Sequence, residues 1–364
     1  MDKKLAFGCM RLPMKNDQVD YEEFNKMIDY YMDNGFNYFD TAHGYINGKS
    51  ETAIRDCLVK RYEREKFVLT DKLTQNYFNK EEDIIPFFEN QLKWCGVDYF
   101  DYYLMHAQDR DNYNHFMKCN AYEVAKKLKE NGKIKHLGIS FHDTADVLEM
   151  ILSNHPEIEI VQIQLNYVDY ESAGVQSRKC YEVCRKYNKP VLVMEPVKGG
   201  GLVRLPDEAK KVFDELNDNY SYASYAIRFA ASLDGVYKVL SGMSDLEQMK
   251  DNVSYMKEFE PLNKEEYDAI DKVNEILKKL GGIPCTSCRY CTEGCPKKIS
   301  IPDLFSCYNA KKQFNDWNSG MYYRIHTKDA GKASDCIKCG KCERVCPQHL
   351  KIRELLEEVA KTFE

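Results

Sequence analysis

The chain has 364 residues, 43% apolar and 30% charged, a globular balance that excludes disorder and collagen-like structure and suits about two domains. Its net charge of −6 offers no basic surplus for nucleic acid, and no apolar stretch reaches the length of a membrane span. The opening segment, Met1 to Gly8, lacks the apolar run of a signal peptide, so a soluble cytoplasmic protein is expected.

Residues 1–280 alternate two kinds of segment. Short apolar runs occur at 4–8, 38–41, 67–70, 102–105, 134–139, 158–165, 191–194 and 236–240. Between them lie amphipathic stretches such as 21–34, 121–131 and 145–153, with apolar residues at helical spacing. Many of these end in a glycine stop, as at Asn34-Gly35 and Asn131-Gly132. Eight strand-like runs with intervening helices predict an α/β chain folded as a (β/α)8 barrel. A doubly wound sheet is the competitor, but the G-x-G-x-x-G fingerprint is absent. In a barrel, chemistry belongs at the C-terminal strand ends. Asp40, Lys72 and His106 stand just past the second, third and fourth runs, with Tyr45 in the loop after Asp40. Any one of them alone reads as a cap or a core residue. Together they point to one rim.

The residues from Gly35 to Tyr45 (GFNYFDTAHGY), followed by Ser50-Glu51, resemble the signature of the aldo-keto reductase superfamily. The opening Phe7-Gly8-Cys9-Met10-Arg11-Leu12-Pro13 matches the family pattern too, as do Thr70-Asp71-Lys72-Leu73, Asp101 to His106 and Gly138-Ile139-Ser140, all in order. The resemblance spans roughly residues 4–255. It implies a tetrad of Asp40, Tyr45, Lys72 and His106 for carbonyl reduction. A carbonyl that accepts hydride needs a proton from a positioned acid. Tyr45 would give it, Lys72 would ease its release, Asp40 would hold Lys72, and His106 would orient the substrate oxygen.

The resemblance also implies a nicotinamide cofactor, NAD(P)(H). Gly8, Met10 and Asp40 fall in its cofactor-binding set, and Ser140 and Gln162, with Asn166 nearby, match the positions that hold the carboxamide. Met194, Val197 and Gly199 lie in the stretch near the pyrophosphate. Ser241, Gly242, Ser244, Gln248 and Asn252 match the adenosine end. Two departures stand out. Met194 replaces a tyrosine that many relatives stack on the ring, and the adenosine segment carries Asp245 where an Arg or Lys often meets the phosphate of NADP. The choice between NAD and NADP stays open.

Composition shifts after Gly281-Gly282-Ile283-Pro284, which should stop the helical pattern of 267–280. Nine of the 15 cysteines fall between Cys285 and Cys346, and residues 285–364 carry 14 Lys/Arg against 10 Asp/Glu. Two domains follow, 1–280 and 285–364. Cys285-x-x-Cys288-x-x-Cys291-x-x-x-Cys295-Pro296 recurs as Cys336-x-x-Cys339-x-x-Cys342-x-x-x-Cys346-Pro347. This is the bacterial ferredoxin run, in which the fourth cysteine ligates the other cluster, so a ferredoxin-like α+β domain with two 4Fe-4S clusters is expected. One cluster is assigned to Cys285, Cys288, Cys291 and Cys346, and the other to Cys336, Cys339, Cys342 and Cys295. Structural zinc would show paired C-x-x-C motifs without the third cysteine. Cys307 reads as core, and the aromatic residues of the insert 299–335 as a small core or a docking face.

The combination predicts an oxidoreductase acting on a small-molecule substrate, with clusters serving a redox partner protein. Nicotinamide moves two electrons and each cluster one, so direct coupling would need a splitter such as a flavin. Two other readings remain at this stage: an electron-transfer protein whose barrel holds flavin or nicotinamide as a relay, and a carbonyl reductase whose clusters only brace the tail.

Overall fold

The computed structural model describes residues 3–364 apart from 217, 218, 280 and 286. Its chain divides into two units. The first comprises Met1–Leu165, Lys179–Pro196 and Ala223–Leu262, and the second Asn166–Arg178, Val197–Tyr222 and Asn263–Glu364.

The first unit holds eight parallel strands: β1 (Leu5–Gly8), β2 (Tyr38–Asp40), β3 (Val68–Leu73), β4 (Phe100–Gln108), β5 (Ile134–Phe141), β6 (Ile160–Gln164), β7 (Val191–Met194) and β8 (Val236–Ser241). Each pairs with its sequence neighbour, and β1 closes on β8. The result is a closed (β/α)8 barrel, with every apolar run of the sequence in a strand. Alternation along the strands divides the side chains between two cores. Ala6, Tyr38, Leu104, Ile160, Leu192 and Leu240 form one buried cluster across six of the strands. Their neighbours Phe7 and Phe39 instead pack with Phe24 and Tyr31 of the helix Tyr21–Asp33. The Tyr31 hydroxyl is satisfied in that layer, donating toward the carbonyls of Leu5 at 2.9 Å and Tyr38 at 3.1 Å. Strand β4 runs past the expected end at Met105, and its pairing with β5 slips between Met105 and Gln108, where Ala107 has φ of 49°. Such an irregularity re-aims the side chains around it, and His106 sits inside it.

The second unit groups the cysteine-rich tail with segments that composition assigns to residues 1–280. A buried ion pair network explains part of this: the Lys198 ammonium donates to Asp169 at 2.7 and 2.9 Å and to Asp316 at 2.8 Å. Helix Asp207–Leu216 also packs on helix Lys264–Lys279. Around the cysteines, Ile299, Ile301, Leu304, Phe305, Tyr322, Tyr323, Ile352, Leu356 and Val359 form an apolar core that includes Cys307. Phe305, Tyr322 and Tyr323 of the insert are therefore core residues, whereas Trp317 is 54% exposed. No helix among the described residues is long and apolar enough to cross a membrane.

Gly138 of β5 shows how tightly the barrel closes. A Cβ there would meet Ile160 Cγ2 and Leu104 Cδ2 at 2.6 Å and the Ile160 carbonyl oxygen at 2.7 Å. Gly138→Ala should therefore lower stability by about 1–3 kcal/mol through overpacking, read as an earlier midpoint in denaturant unfolding.

Candidate active site and cysteine cradles

The four rim residues converge at the C-terminal end of the barrel. Asp40 ends β2, Lys72 is the penultimate residue of β3, His106 stands near the end of β4, and Tyr45 opens the single turn Tyr45–Gly48 after β2. The Lys72 ammonium is fully buried and donates to Asp40 Oδ1 at 2.6 Å and to the Thr41 carbonyl at 2.7 Å. It lies 4.8 Å from the centre of the Tyr45 ring. The rings of Tyr45 and His106 stand 6.0 Å apart, edge to face.

The electrostatics follow from this packing. Burial opposes the Lys72 charge, but Asp40 and Tyr45 outweigh it and hold the ammonium above its ordinary range. Burial pushes the Tyr45 phenol up to about 12, against the downward pull of Lys72. Lys72 thus acts on Tyr45 in the expected direction but does not bring it below its ordinary value, because the phenolate would lose more to desolvation than it gains from the cation. The phenol stays protonated at neutral pH. Burial also drives His106 well below its ordinary value, with Lys72 adding to the effect, so its imidazole is neutral. Its Nδ1 lies 2.6 Å from the Thr74 hydroxyl.

Most of the remaining rim positions lie in the first unit. Gly8 pairs with Asp40 across β1 and β2, and Met10 follows, 40% exposed. Ser140 and Gln162 are register partners on β5 and β6. Ser140 Oγ accepts from the Ala107 amide at 2.7 Å, whereas Gln162 Oε1 is buried with no partner among the described residues. Asp40 Oδ2 is in the same condition. Met194 ends β7 and Ser241 ends β8. Asn252 donates to Ser241 Oγ at 2.7 Å, and Gln248 is held by Asp245 at 2.6 Å while its Oε1 accepts from the Ser244 amide at 3.0 Å. Val197, Gly199 and Asn166 belong to the second unit, where Asn166 donates to Asp169 at 2.8 Å.

Two features escape the sequence reading. Arg11 comes from the loop after β1, and its Cβ stands 3.7 Å from where a Cβ on Gly242 would be. It supplies a cation beside Gly242 and Ser244, whose hydroxyl donates to the Arg11 carbonyl at 3.0 Å, although Glu195 lies 3.5 Å from it. The second feature is a buried polar layer under Lys72. His43 Nδ1 is 2.6 Å from Glu51, Gln91 donates to Glu51 at 3.3 Å and to the Lys72 carbonyl at 3.1 Å, and Asp71 and Cys95 close the group. Burial raises Asp71 far above the ordinary carboxyl range and Glu51 to about 7. His43 stacks on Trp94 at 4.2 Å and has a side chain 20% exposed. Both Arg11 and Glu51 stand inside the motifs of the sequence, but nothing in the motifs shows which elements fold against them.

In the second unit the eight cysteines of the two runs gather around two hollows. Cys285, Cys288 and Cys291 line one together with Cys346. Cys336, Cys339 and Cys342 line the other together with Cys295. Each hollow thus takes three sulfurs from one run and one from the other. The runs repeat in backbone as well: Ser287 and Lys338 share φ of 56°, Arg289 and Gly340 have 64° and 70°, and Lys298 and His349 have 53° and 51°. These left-handed residues turn the chain tightly enough to aim successive thiols inward. Four sulfur donors around one point are the donor set of an iron–sulfur cluster.

Comparison with known proteins agrees with this architecture. Residues 4–275 match the model of the aldo/keto reductase family, and residues 284–350 match that of the 4Fe-4S dicluster domain. The uncharacterized oxidoreductase YqkF of Bacillus subtilis is 21% identical over 281 residues, covering 69% of this chain and 86% of its own length. A probable aldo-keto reductase 1 of Glycine max is 29% identical over 170 residues, and this chain spans only 47% of its length. Among solved structures, the holo form of an aldo-keto reductase from Bacillus halodurans is similar, with 25% identity and a TM-score of 0.61 over 74% of this chain and 91% of its own. An aldo-keto reductase from Klebsiella pneumoniae in complex with NADPH, 19% identical, shares the fold at a TM-score of 0.60 over 74% of this chain and 90% of its own.

The layer under Lys72 has a measurable consequence. Glu51 ionises near 7 in the folded chain against an ordinary 4.5, so the folded state binds the extra proton between these values. Its contribution to stability is complete at low pH and is lost as pH rises through about 7. Thermal unfolding should show a loss on the order of 3 kcal/mol from this group between about pH 4 and pH 8, and Glu51→Gln should flatten that slope.

Proposed function

This chain belongs to the aldo/keto reductase family, and on that premise we propose that it reduces a carbonyl substrate with NAD(P)H and exchanges electrons with a redox partner protein through two 4Fe-4S clusters. The observation that carries the reading is the buried Asp40–Lys72 pair set against Tyr45 and a neutral His106. A lysine is tolerated without water only where a fixed anion meets it, and here its remaining reach is directed at a phenol.

The cofactor, when bound, supplies a hydride. The fit of the rim to a nicotinamide rests on Gln162, whose unpartnered buried Oε1 suits the amide donor of a carboxamide, with Ser140 in register beside it. Arg11 offers a cation for a phosphate at the adenosine end, where Asp245 is occupied with Gln248. The chain's own residues do the rest. His106, its Nδ1 engaged by Thr74, presents its other nitrogen to the substrate carbonyl oxygen. As that oxygen gains charge, the Tyr45 O–H bond breaks and its proton passes to the oxygen, leaving an alcohol. Lys72 stabilises the phenolate left behind, and Asp40 keeps Lys72 charged and in place. Holding the phenol protonated until then, as burial does, keeps the acid loaded.

In the tail, Cys285, Cys288, Cys291 and Cys346 would hold one cluster and Cys336, Cys339, Cys342 and Cys295 the other, each carrying single electrons. Fifteen unpaired cysteines suit a reducing compartment, and we place the protein in the cytoplasm.

Tyr45→Phe should slow carbonyl reduction by roughly 10²–10⁴-fold while leaving nicotinamide binding, followed by fluorescence titration, nearly unchanged. An unaltered rate would remove Tyr45 from the proton transfer. For the tail, anaerobic analysis should find about eight iron atoms per loaded chain. Cys346→Ala and Cys288→Ala should abolish the same spin-resonance signal, and Cys295→Ala the other one. Loss of the opposite signal in Cys346→Ala would refute the crossed arrangement.

A further inference from the structure

The duplicated cysteine run provides its own internal control. Both copies perform the same task with the same backbone: a short helix, Tyr290–Glu293 or Lys341–Arg344, carries the third cysteine, and a longer one, starting at Ile301 or Ile352, follows the proline. Positions that differ between the copies therefore reflect something other than holding a cluster. Counted through Lys298 and His349, the two runs carry the same net charge, since Glu343 replaces Thr292, Gly340 replaces Arg289, and Gln348 and His349 replace Lys297 and Lys298, but they distribute it differently around the two hollows. Where the first run has Thr286, Ser287 and Tyr290, the second has Ile337, Lys338 and Lys341. Where the first has Glu293 and Gly294, the second has Arg344 and Val345. After the prolines, Lys297, which lines the second hollow, stands where Gln348 lines the first.

One thiol of each hollow is exposed, Cys288 in the first and Cys339 in the second. Cys339 stands between Lys338 and Lys341, near Ile337, which is 56% exposed, whereas the exposed apolar neighbour in the first run is Tyr290. Lys338 meets Glu357 at 2.6 Å, but both side chains are largely in water, where such a pair contributes little. The cation lining the first hollow, Arg289, is instead consumed by Asp303, which it contacts bidentately at 2.6 and 3.0 Å. Neutralising a bound cluster does not explain this, because four thiolates surround each hollow alike. The second hollow therefore has Lys297 and Lys341 in its lining, with Lys338 next to Cys339, where the first has Arg289 alone, and it has the apolar Ile337 in solvent. That is the composition of a small transient interface, with apolar contact at its centre and charge at its rim to steer the encounter.

We propose that the surface formed by Ile337, Lys338 and Lys341, with Lys297, docks a small acidic one-electron carrier protein, and that the second hollow is the point of electron exchange with it. This rests on the reading that the clusters exchange electrons with a partner. The balance is simple: the reduced carrier loses one electron, the cluster gains it, and no atom moves. Two such transfers carry as many electrons as one hydride, whose proton comes separately.

The test uses the full, cluster-loaded chain and a small acidic ferredoxin, with a basic cytochrome-type carrier of similar size for comparison. Binding is measured by calorimetry and cluster reduction by anaerobic stopped-flow absorbance, at low and high salt. The wild type should bind the acidic carrier, with association slowing at least about tenfold as salt screens the surface. Lys338→Glu combined with Lys341→Glu should weaken binding and slow reduction about tenfold or more at low salt. Iron content and reduction by dithionite should stay as in the wild type. Ser287→Glu combined with Tyr290→Glu, the matching change at the first hollow, should leave carrier binding unaltered. Equal binding by the Lys338/Lys341 variant, or preference of the wild type for the basic carrier, would overturn the docking face while leaving electron exchange standing. If neither carrier reduces clusters that dithionite does reduce, electron exchange with a partner protein fails together with the docking face.

Discussion

A single charged amine in a dry barrel mouth governs the candidate site. Lys72 is fully buried, and an isolated ammonium there would lose its proton before it lost its hydration. Asp40 at 2.6 Å and the Thr41 carbonyl at 2.7 Å prevent this, and both come from the strand end next to the one that carries Lys72. The geometry needs β2 and β3 in their observed register, with Asp40 paired to Thr70. The aromatic packing of Phe7, Phe24, Tyr31 and Phe39 behind β1 and β2 thus supports the charge as well as the fold. Lys72 pulls Tyr45 down against its burial and adds to the burial that keeps His106 neutral.

The polar layer beneath extends the same logic. Glu51, Asp71 and Cys95 are buried together, and two carboxyls so close cannot both ionise without cost. Burial pushes both carboxyls up, which disfavours charge there and leaves Asp40 as the anion that Lys72 meets. Gln91 bridges from Glu51 to the backbone of Lys72, so the layer also fixes the strand that carries the ammonium.

The second unit solves a different problem. Its apolar core packs directly against the cysteines that line the two hollows. Left-handed residues at matched positions let each run curl around its hollow, and the crossing of the fourth cysteine ties the two runs together. The ion pairs of Lys198 with Asp169 and Asp316 fasten the insert to segments far away in sequence.

Strand number, barrel closure and the paired cysteine runs were all legible in the sequence, because each is a periodic signal: apolar runs every 30 residues or so, and thiols at two-residue gaps. Asp40, Lys72 and His106 were legible as candidates because strand ends are where a barrel exposes its chemistry. Side-chain environment was not legible. That Tyr45 sits above its ordinary value rather than below depends on how much water burial removes, which no motif encodes. Arg11 beside Gly242, Glu51 beside Asp71 and Lys198 between two aspartates depend on segments that meet only after the strands have closed. The grouping of 166–178 and 197–222 with the tail likewise had no trace in composition. Local periodicity determines the elements, whereas burial and the company each charge keeps are set by contacts distant in the chain, and only the tertiary structure decided those.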